Sequence, residues 1–447
     1  MATLTIDLNE VLRLGVPRAI ILWLAAIPSL REREHELAAL EPHEAAEFAA
    51  LLTPQTAAEL FDGLNPYVTG YFLESLAAGQ AAKVIGWIHP DEAGRALREI
   101  PTANRHSILE LVDEAARQPI VDALSWPEES AGAWLQPALA VVRTGQTVAD
   151  ATGSLSNTSS STRASYIYVT DPDDTLVGVA SFRDLVLASP ETLVESVMKT
   201  DVVTATPLED REFAARTLND HRLKVLPVVD GGRLVGVLTA EDMASVLEEE
   251  VTEDAERQGG SAPLDMPYLQ AGPFTLWRKR IVWIAVLFAA EMYTGTVMRA
   301  FEDELSTVVA LSFFIPLLIG TGGNVGTQVS STLIRSMATG QVGIRNLPRI
   351  LGKEVCAGLL IAVTMAALAG LRALTLGVGY EVGLTVAISI AAIVVWSSVL
   401  ASILPLVIKK IRLDPAAVSS PLITTLVDGT GLVIYFTVAK LLISALQ

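Results

Sequence analysis

The sequence predicts a multi-domain protein: an all-α superhelical N-terminal domain, a duplicated α/β module, and an α-helical domain that crosses a membrane five times. Three observations predict it. The chain is 447 residues long, which suits about three domains. Two β-rich stretches repeat one pattern 58 residues apart, Gly178 and Asp184 in the first matching Gly236 and Asp242 in the second. Charge and hydrophobicity also divide the chain. From Ala271 onward there are 13 Lys and Arg against 8 Asp and Glu, a net of +5; of chain totals of 32 and 50, that leaves 19 basic and 42 acidic residues in the first 270, a net of −23. Such an acidic surface repels nucleic acid and attracts cations. Nucleic acid is therefore excluded as a partner and divalent ions are the natural ligands, although excess acid also serves solubility alone.

Residues 1–136 form the first domain. From about residue 30 to 135 the segments HEAAEFAALL, PQTAAELFDGL, YVTGYFLESL and PDEAGRALREI have helical apolar spacing, with Pro54, Pro66, Pro90 and Pro101 near probable first turns. Units of this kind stack into a short α-solenoid, which by itself indicates a scaffold. The start, MATLTIDLNE, lacks a basic leader region, and the apolar run Ala19–Ile27 is too brief to span a bilayer. The acidic front is expected in the cytoplasm. The single cysteine, Cys356, excludes a disulfide within the chain.

Residues 137–247 hold the duplication. YIYVTDPDDTLVGVASFRDLV (Tyr166–Val186) and LKVLPVVDGGRLVGVLTAEDM (Leu223–Met243) each read as strand, Asp/Gly turn, strand and a Ser/Thr-x-x-Asp helix start. The arrangement resembles a tandem α/β pair of CBS domains, regulatory modules that often bind adenine nucleotides; SLSNTSSSTRAS precedes the first hairpin. Residues 248–275 are an acidic connecting helix and linker. Glu248, Glu249, Glu250, Glu253, Asp254 and Glu256 place six acids within nine residues, where like charges at i,i+4 repel. A bound cation relieves this; a solvated linker helix is the other reading.

Residues 276–447 form the membrane domain, with spans at Ile281–Val297, Val308–Ala338, Ile350–Leu371, Leu384–Ile408 and Leu422–Ile443. Three basic groups fall on one side: Arg278, Lys279 and Arg280; Arg345, Arg349 and Lys353; Lys409, Lys410 and Arg412. The positive-inside rule assigns that side to the cytoplasm, with the C-terminus outside.

Two polar strings interrupt the spans, GTGGNVGTQ at Gly320–Gln328 and TTLVDGTG at Thr424–Gly431. The second puts Asp428 in an apolar span, where an ionisable group normally faces a protein interior or a water path. Pro316 precedes the first string and is expected to free a backbone carbonyl within a helical span. Gly322 and Gly326 suit close helix packing, while Asn324, Thr327 and Gln328 offer oxygens; with Asp428, Thr424 and Thr425 they favour a wet path. Glu291, a second acid in the first span, either lines the same path or sits at a packing face. All five His precede the membrane domain, so donors are oxygens, which suit Mg²⁺, Ca²⁺ or Mn²⁺. Mg²⁺ keeps its waters and needs few charges. One carboxylate per chain is thin for a divalent ion, so two copies around a two-fold axis are expected.

GTGGNVGTQ, followed by DPAAVSSPLITTLVDGTGLVIYF at Asp414–Phe436, resembles the MgtE family of bacterial magnesium channels and transporters, over nearly the whole chain. The resemblance implies a homodimer in the bacterial cytoplasmic (inner) membrane whose pore holds hydrated Mg²⁺ at Asp428, helped by Thr424, Ser420, Asn324 and Gln328. It implies gating by cytosolic Mg²⁺, with Glu59, Asp91, Glu209, Asp242, Glu250, Glu253, Asp254 and Asp414 as sensor acids and Asp414 facing Glu209. Arg211 and His221 stand where further carboxylates are expected. It also implies ATP at the CBS pair, near Tyr166, Arg183 and Asp184. The chain has no Walker lysine motif, nucleophile elbow or metal-hydrolase signature, so it is not expected to be an enzyme. Two alternatives remain: a transporter for Mn²⁺, Co²⁺ or Ca²⁺ of the same architecture, and a membrane-anchored nucleotide-sensing CBS protein whose spans only tether.

Overall fold

A computed structural model describes residues 7–138, 140–156, 166–411, 414–415 and 420–447, and divides the chain into a unit of Met1–Glu250 and a unit of Val251–Gln447. SLSNTSSSTRAS lies mostly outside the described residues, as do Arg412 and part of the segment before the last span.

The first unit opens with short helices from α1 (Leu8–Leu14) and α2 (Pro17–Ala26) to α10 (Glu114–Ser125). Proline starts several of them: Pro17, Pro42, Pro54, Pro66 and Pro90 each occupy the first helical turn, where a missing N–H costs nothing and φ is already helical. The run Ala19–Ile27 is mostly the short amphipathic helix α2, whose Ile20 and Trp23 are fully buried. Trp23, Phe48 and Phe72 stack edge to face through the middle of this layer, and their burial holds the helices together.

The duplicated module follows. Strands β1 (Val141–Arg143), β2 (Tyr166–Thr170) and β3 (Leu176–Ser181) form a sheet with β1 parallel to β2 and β2 antiparallel to β3. β4 (Val225–Asp230) and β5 (Arg233–Thr239) form the second hairpin, turned by Gly231 and Gly232 with positive φ. The copies trade edges in the same way: Val179 bridges Lys199, and Val237 bridges Gln136. The matched glycines permit this. A Cβ on Gly178 would lie 2.9 Å from the Lys199 carbonyl, and one on Gly236 2.8 Å from that of Gln136. Each hairpin runs into a helix. Ser181 and Asp184 make a reciprocal capping box on α12 (Phe182–Leu187), and Thr239 Oγ1 accepts from the Asp242 N–H and donates to its carboxylate at the start of α14 (Ala240–Gln258). The predicted connecting helix is the second half of α14: its Glu- and Ala-rich sequence contains no breaker before Gly259 and Gly260.

Among the described residues, the second unit has five helices long and apolar enough to cross a membrane. α15 (Pro273–Ala300) and the short α16 (Glu302–Thr307) lead to a 3₁₀ segment, Val309–Phe314, and then α17 (Ile315–Ala338), α18 (Leu347–Leu376), α19 (Tyr380–Lys410) and α20 (Ser420–Leu442). Pro316 corrects one expectation. It stands in the first turn of α17, so it begins that helix and frees no carbonyl within it. The interior proline of the unit is Pro405 in α19. α19 is packed by α17, α18 and α20, and its Thr385, Ser389, Ser397, Ser398 and Ser402 are buried. Lipid supplies no hydrophobic drive between helices, so small residues and interhelical hydrogen bonds must hold them. Ser397 Oγ donates to the Gly322 carbonyl at 2.6 Å.

Candidate functional site

The polar strings meet on α17 and α20. A Cβ on Gly322 would strike Ile393 and Val427 at 2.7 Å, one on Gly323 would strike Thr424, and one on Gly326 would strike Ile423 at 2.6 Å. These glycines let three backbones close together. They bring Thr424, and Asp428 one turn beyond it, alongside the α17 segment that carries Asn324 and Gln328. Asn324 and Gln328 lie one turn apart on a face of α17 that a single chain leaves exposed, while Ser420, Thr424 and Asp428 are half-buried. The Thr424 hydroxyl donates to the carbonyls of Ser420 and Pro421 at 3.0 and 2.9 Å. Donating in this way leaves its lone pairs as acceptors for a water. A row of amide, hydroxyl and carboxylate oxygens can grip a cation through its water shell.

The sensor acids divide into several groups. Asp91 and Glu92, on α8 (Pro90–Arg98), are 0 % and 7 % exposed, and Asp242 at the start of α14 is 8 % exposed. Asp91 pairs with Arg95 at 3.2 Å, and the Arg95 guanidinium lies 3.8 Å over the Trp134 ring. Glu92 accepts from the Gly63 N–H, and Asp242 from Thr239 and Gln136. One oxygen of Asp91 and one of Glu92 are buried without a partner. Burial raises all three carboxyl groups above the usual range, Glu92 to about 9 with help from Asp91, and Asp242 is pushed further by Asp91 and Asp62. Orphaned hard oxygens under mutual repulsion fit a hard cation such as Mg²⁺. Even so, no group of three or more His, Cys, Asp or Glu among the described residues is gathered tightly enough to hold a metal by itself.

Stability should therefore depend on pH in a defined direction. Between the unfolded value near 4.3 and about 9, the folded chain keeps a proton on Glu92 that the unfolded chain releases. Stability then falls as pH rises through that window, by at most about 1.4 kcal/mol per pH unit for each such proton. Urea unfolding in chelator at pH 5.5, 7 and 8.5 is expected to give that slope, and Glu92→Gln to flatten it. A slope of zero or the opposite sign contradicts the assignment.

The remaining acids are placed differently. Glu59 is on the exposed side of α5 (Pro54–Phe61), apart from the buried set. Glu209 accepts from the Thr206 N–H. Glu250 joins Glu129 and Glu249 around Arg211, with N–O distances of 3.1, 2.9 and 3.3 Å. Burial opposes the Arg211 charge, yet the three carboxylates hold it above its ordinary value. Glu253 and Asp414 both pair with Arg257, and Asp254 is half-buried on α14. Arginine thus supplies part of the positive charge that the acid-rich helix requires. Sequence reasoning missed Glu92, Arg95 and the role of Arg211. Consecutive acids at a helix start ordinarily complement the helix dipole, and an isolated arginine carries no periodic signal.

In the CBS pair, Tyr166 lies opposite Ser181 across β2 and β3, which brings it beside the exposed Arg183 and the capping Asp184. The Ser181 hydroxyl holds the Asp184 carboxyl below its usual value.

A polar seam between packed bilayer-length helices, joined in one chain to a helical and α/β module rich in buried acids, is the architecture of a regulated polytopic transport protein. Residues 315–438 match the family described as a divalent cation transporter, 31–129 the MgtE intracellular N domain, and 194–249 a CBS domain. The chain is 37 % identical to the magnesium transporter MgtE of Thermus thermophilus, over 79 % of each chain. It is 28 % identical to that of Bacillus subtilis, over 90 % of this chain and 89 % of the relative. A solved cytosolic domain of the Mg²⁺ channel MgtE, in complex with ATP, covers 54 % of this chain and all of that one at 29 % identity and a TM-score of 0.49. The chain belongs to the MgtE family.

Proposed function

We propose that the protein conducts Mg²⁺ down its electrochemical gradient across the bacterial cytoplasmic membrane, as a homodimer closed by cytosolic Mg²⁺. The observation that carries this is Asp428, a half-buried carboxylate within an apolar helix, set beside the glycine-packed segment that presents Asn324 and Gln328. A tether has no use for a buried charge of that cost. The exposed amide face of α17 supports a dimer, because amides facing acyl chains are unfavourable and a second copy would cover them. Phe182, Val186, Leu187 and Phe213, all exposed on the CBS pair, offer a matching apolar surface outside the membrane. In this reading the hydrated ion is held by the paired Asp428 carboxylates, with Ser420, Thr424, Asn324 and Gln328 as partners of its waters.

Closure follows from the acids. Asp91, Glu92 and Asp242 tie the helical layer to the second CBS copy when a divalent ion displaces the proton that burial keeps on Glu92 and bridges their oxygens; as Mg²⁺ falls that bridge is lost, and α14 is released. Glu250, Glu253, Asp254, Asp414, Glu209 and Glu59 add to the same response. ATP binds near Tyr166, Arg183 and Asp184. The helical and CBS parts lie in the cytoplasm and the C-terminus outside. Flux in liposomes, with Mg²⁺ varied separately on each face, tests this. Millimolar Mg²⁺ on the side of the acidic domains should stop flux in the wild type, and neutralising Glu250, Glu253 and Asp254 together should leave flux running. Closure unaltered in that variant would sink the gating scheme, and equal flux of Ca²⁺ or Mn²⁺ would sink the selectivity.

A further inference from the structure

α15 touches the rest of its unit along one stripe. Trp283, Leu287, Glu291, Thr294 and Val297 recur at helical spacing and are buried or half-buried, while the residues between them are exposed. Glu291 is the charged member of that stripe. The helix opposite is α20, and two glycines set the register. Trp283 and Pro421 both lie against Gly260, at the start of α20, while Tyr293 and Thr294 lie against Gly429. The two helices therefore run alongside in the same direction, and Glu291 falls level with Asp428. The two carboxylates are electrostatic neighbours, and among the described residues neither is in an ion pair with Lys or Arg. One turn from Glu291, the Thr294 hydroxyl is 8 % exposed and has no hydrogen-bond partner. It lies 3.3 Å from where a Cβ on Gly429 would stand, so it faces α20 beside Asp428.

Two like charges at one depth of a bilayer are expensive unless a cation stands between them. A third polar group without a partner points into the same place. We infer that Glu291 is a second acid of the permeation path, forming with Asp428 and the Thr294 hydroxyl a site, within each chain, for a hydrated divalent cation. This rests on the reading of Asp428 as the pore acid and adds to it. Each protomer contributes two negative charges where one was expected, and Glu291 sets how tightly the path holds its ion.

The test uses the full-length protein in liposomes with Mg²⁺ as the probe. Glu291→Gln is expected to raise the half-saturating Mg²⁺ concentration roughly 10–100-fold while maximal flux stays within a few-fold, with Glu291→Asp closer to the wild type. An unchanged half-saturation in Glu291→Gln overturns the inference. Should Glu291→Gln not fold, Glu291→Cys in a Cys356→Ala background gives a separate readout. A charged thiol reagent is expected to modify it from water, and Mg²⁺ to slow that reaction; no modification, or a rate indifferent to Mg²⁺, overturns the inference equally. Asp428→Asn is measured alongside. Loss of flux there with Glu291→Gln normal defeats this inference alone, whereas normal flux in Asp428→Asn defeats the pore assignment on which it rests.

Discussion

Asp428→Asn is expected to abolish measurable Mg²⁺ flux while leaving the protein folded. Asn keeps the size of the side chain and one acceptor oxygen, so the packing of Val427 and Gly429 against α15, α17 and α19 is undisturbed. What disappears is the charge. A hydrogen bond to a charged group is worth about 1.5–3 kcal/mol, and in the proposed homodimer both copies are lost together. That is about 3–6 kcal/mol, or roughly 10²–10⁴-fold in occupancy of the site. Removing a half-buried charge also relieves a desolvation cost, so thermal stability should hold or rise. Two measurements check this, Mg²⁺ uptake into liposomes and the thermal midpoint of the purified protein. Flux near the wild-type level in a folded Asp428→Asn protein would falsify the pore assignment.

The second large effect concerns Arg211, which is 9 % exposed and lies among Glu129, Glu249 and Glu250. Breaking a buried ion pair from one side leaves the other charges uncompensated, at about 3–5 kcal/mol. Glu129 and Glu249 are more than a third exposed, so water screens part of that, and about 2–3 kcal/mol is expected for Arg211→Gln. In a unit of this size such a loss lowers the unfolding midpoint by roughly 5–10 °C. Arg211→Lys should fall between the two, because a single ammonium cannot reach three carboxylates as a planar fork does. Millimolar Mg²⁺ should recover part of the loss in Arg211→Gln and little in the wild type, since the exposed acids then need an outside cation. A midpoint unchanged in Arg211→Gln, or unaffected by Mg²⁺, would show that the arginine is not the internal counter-ion of α14.

Much of the architecture was legible because its signals are local. The proline at the start of several short helices, the matched hairpins with Ser181 and Thr239 as caps, and the long apolar runs each follow from residues within one or two turns of each other. The site was legible in part. Asp428 stood out because a carboxylate in an apolar run is anomalous wherever the helices pack. The spacing of Gly322 and Gly326 suits a packing face as well as a path, and with Gly323 they pack against α19 and α20 while carrying Asn324 and Gln328 past Thr424. Hydropathy places Pro316 inside a span because it does not reveal where the helix begins; the apolar residues before it form a 3₁₀ segment.

The sequence alone determined the order of domains, the five bilayer-length helices and the acid within the last of them, because composition and short-range spacing are properties of the chain itself. Only the tertiary structure decided which charges meet. Asp91, Glu92 and Asp242 come from segments about 150 residues apart, Arg211 reaches three acids from distant positions, and Glu291 stands level with Asp428. Charge acts over a few ångströms of space whatever the separation along the chain, so those encounters exist only once the helices have packed.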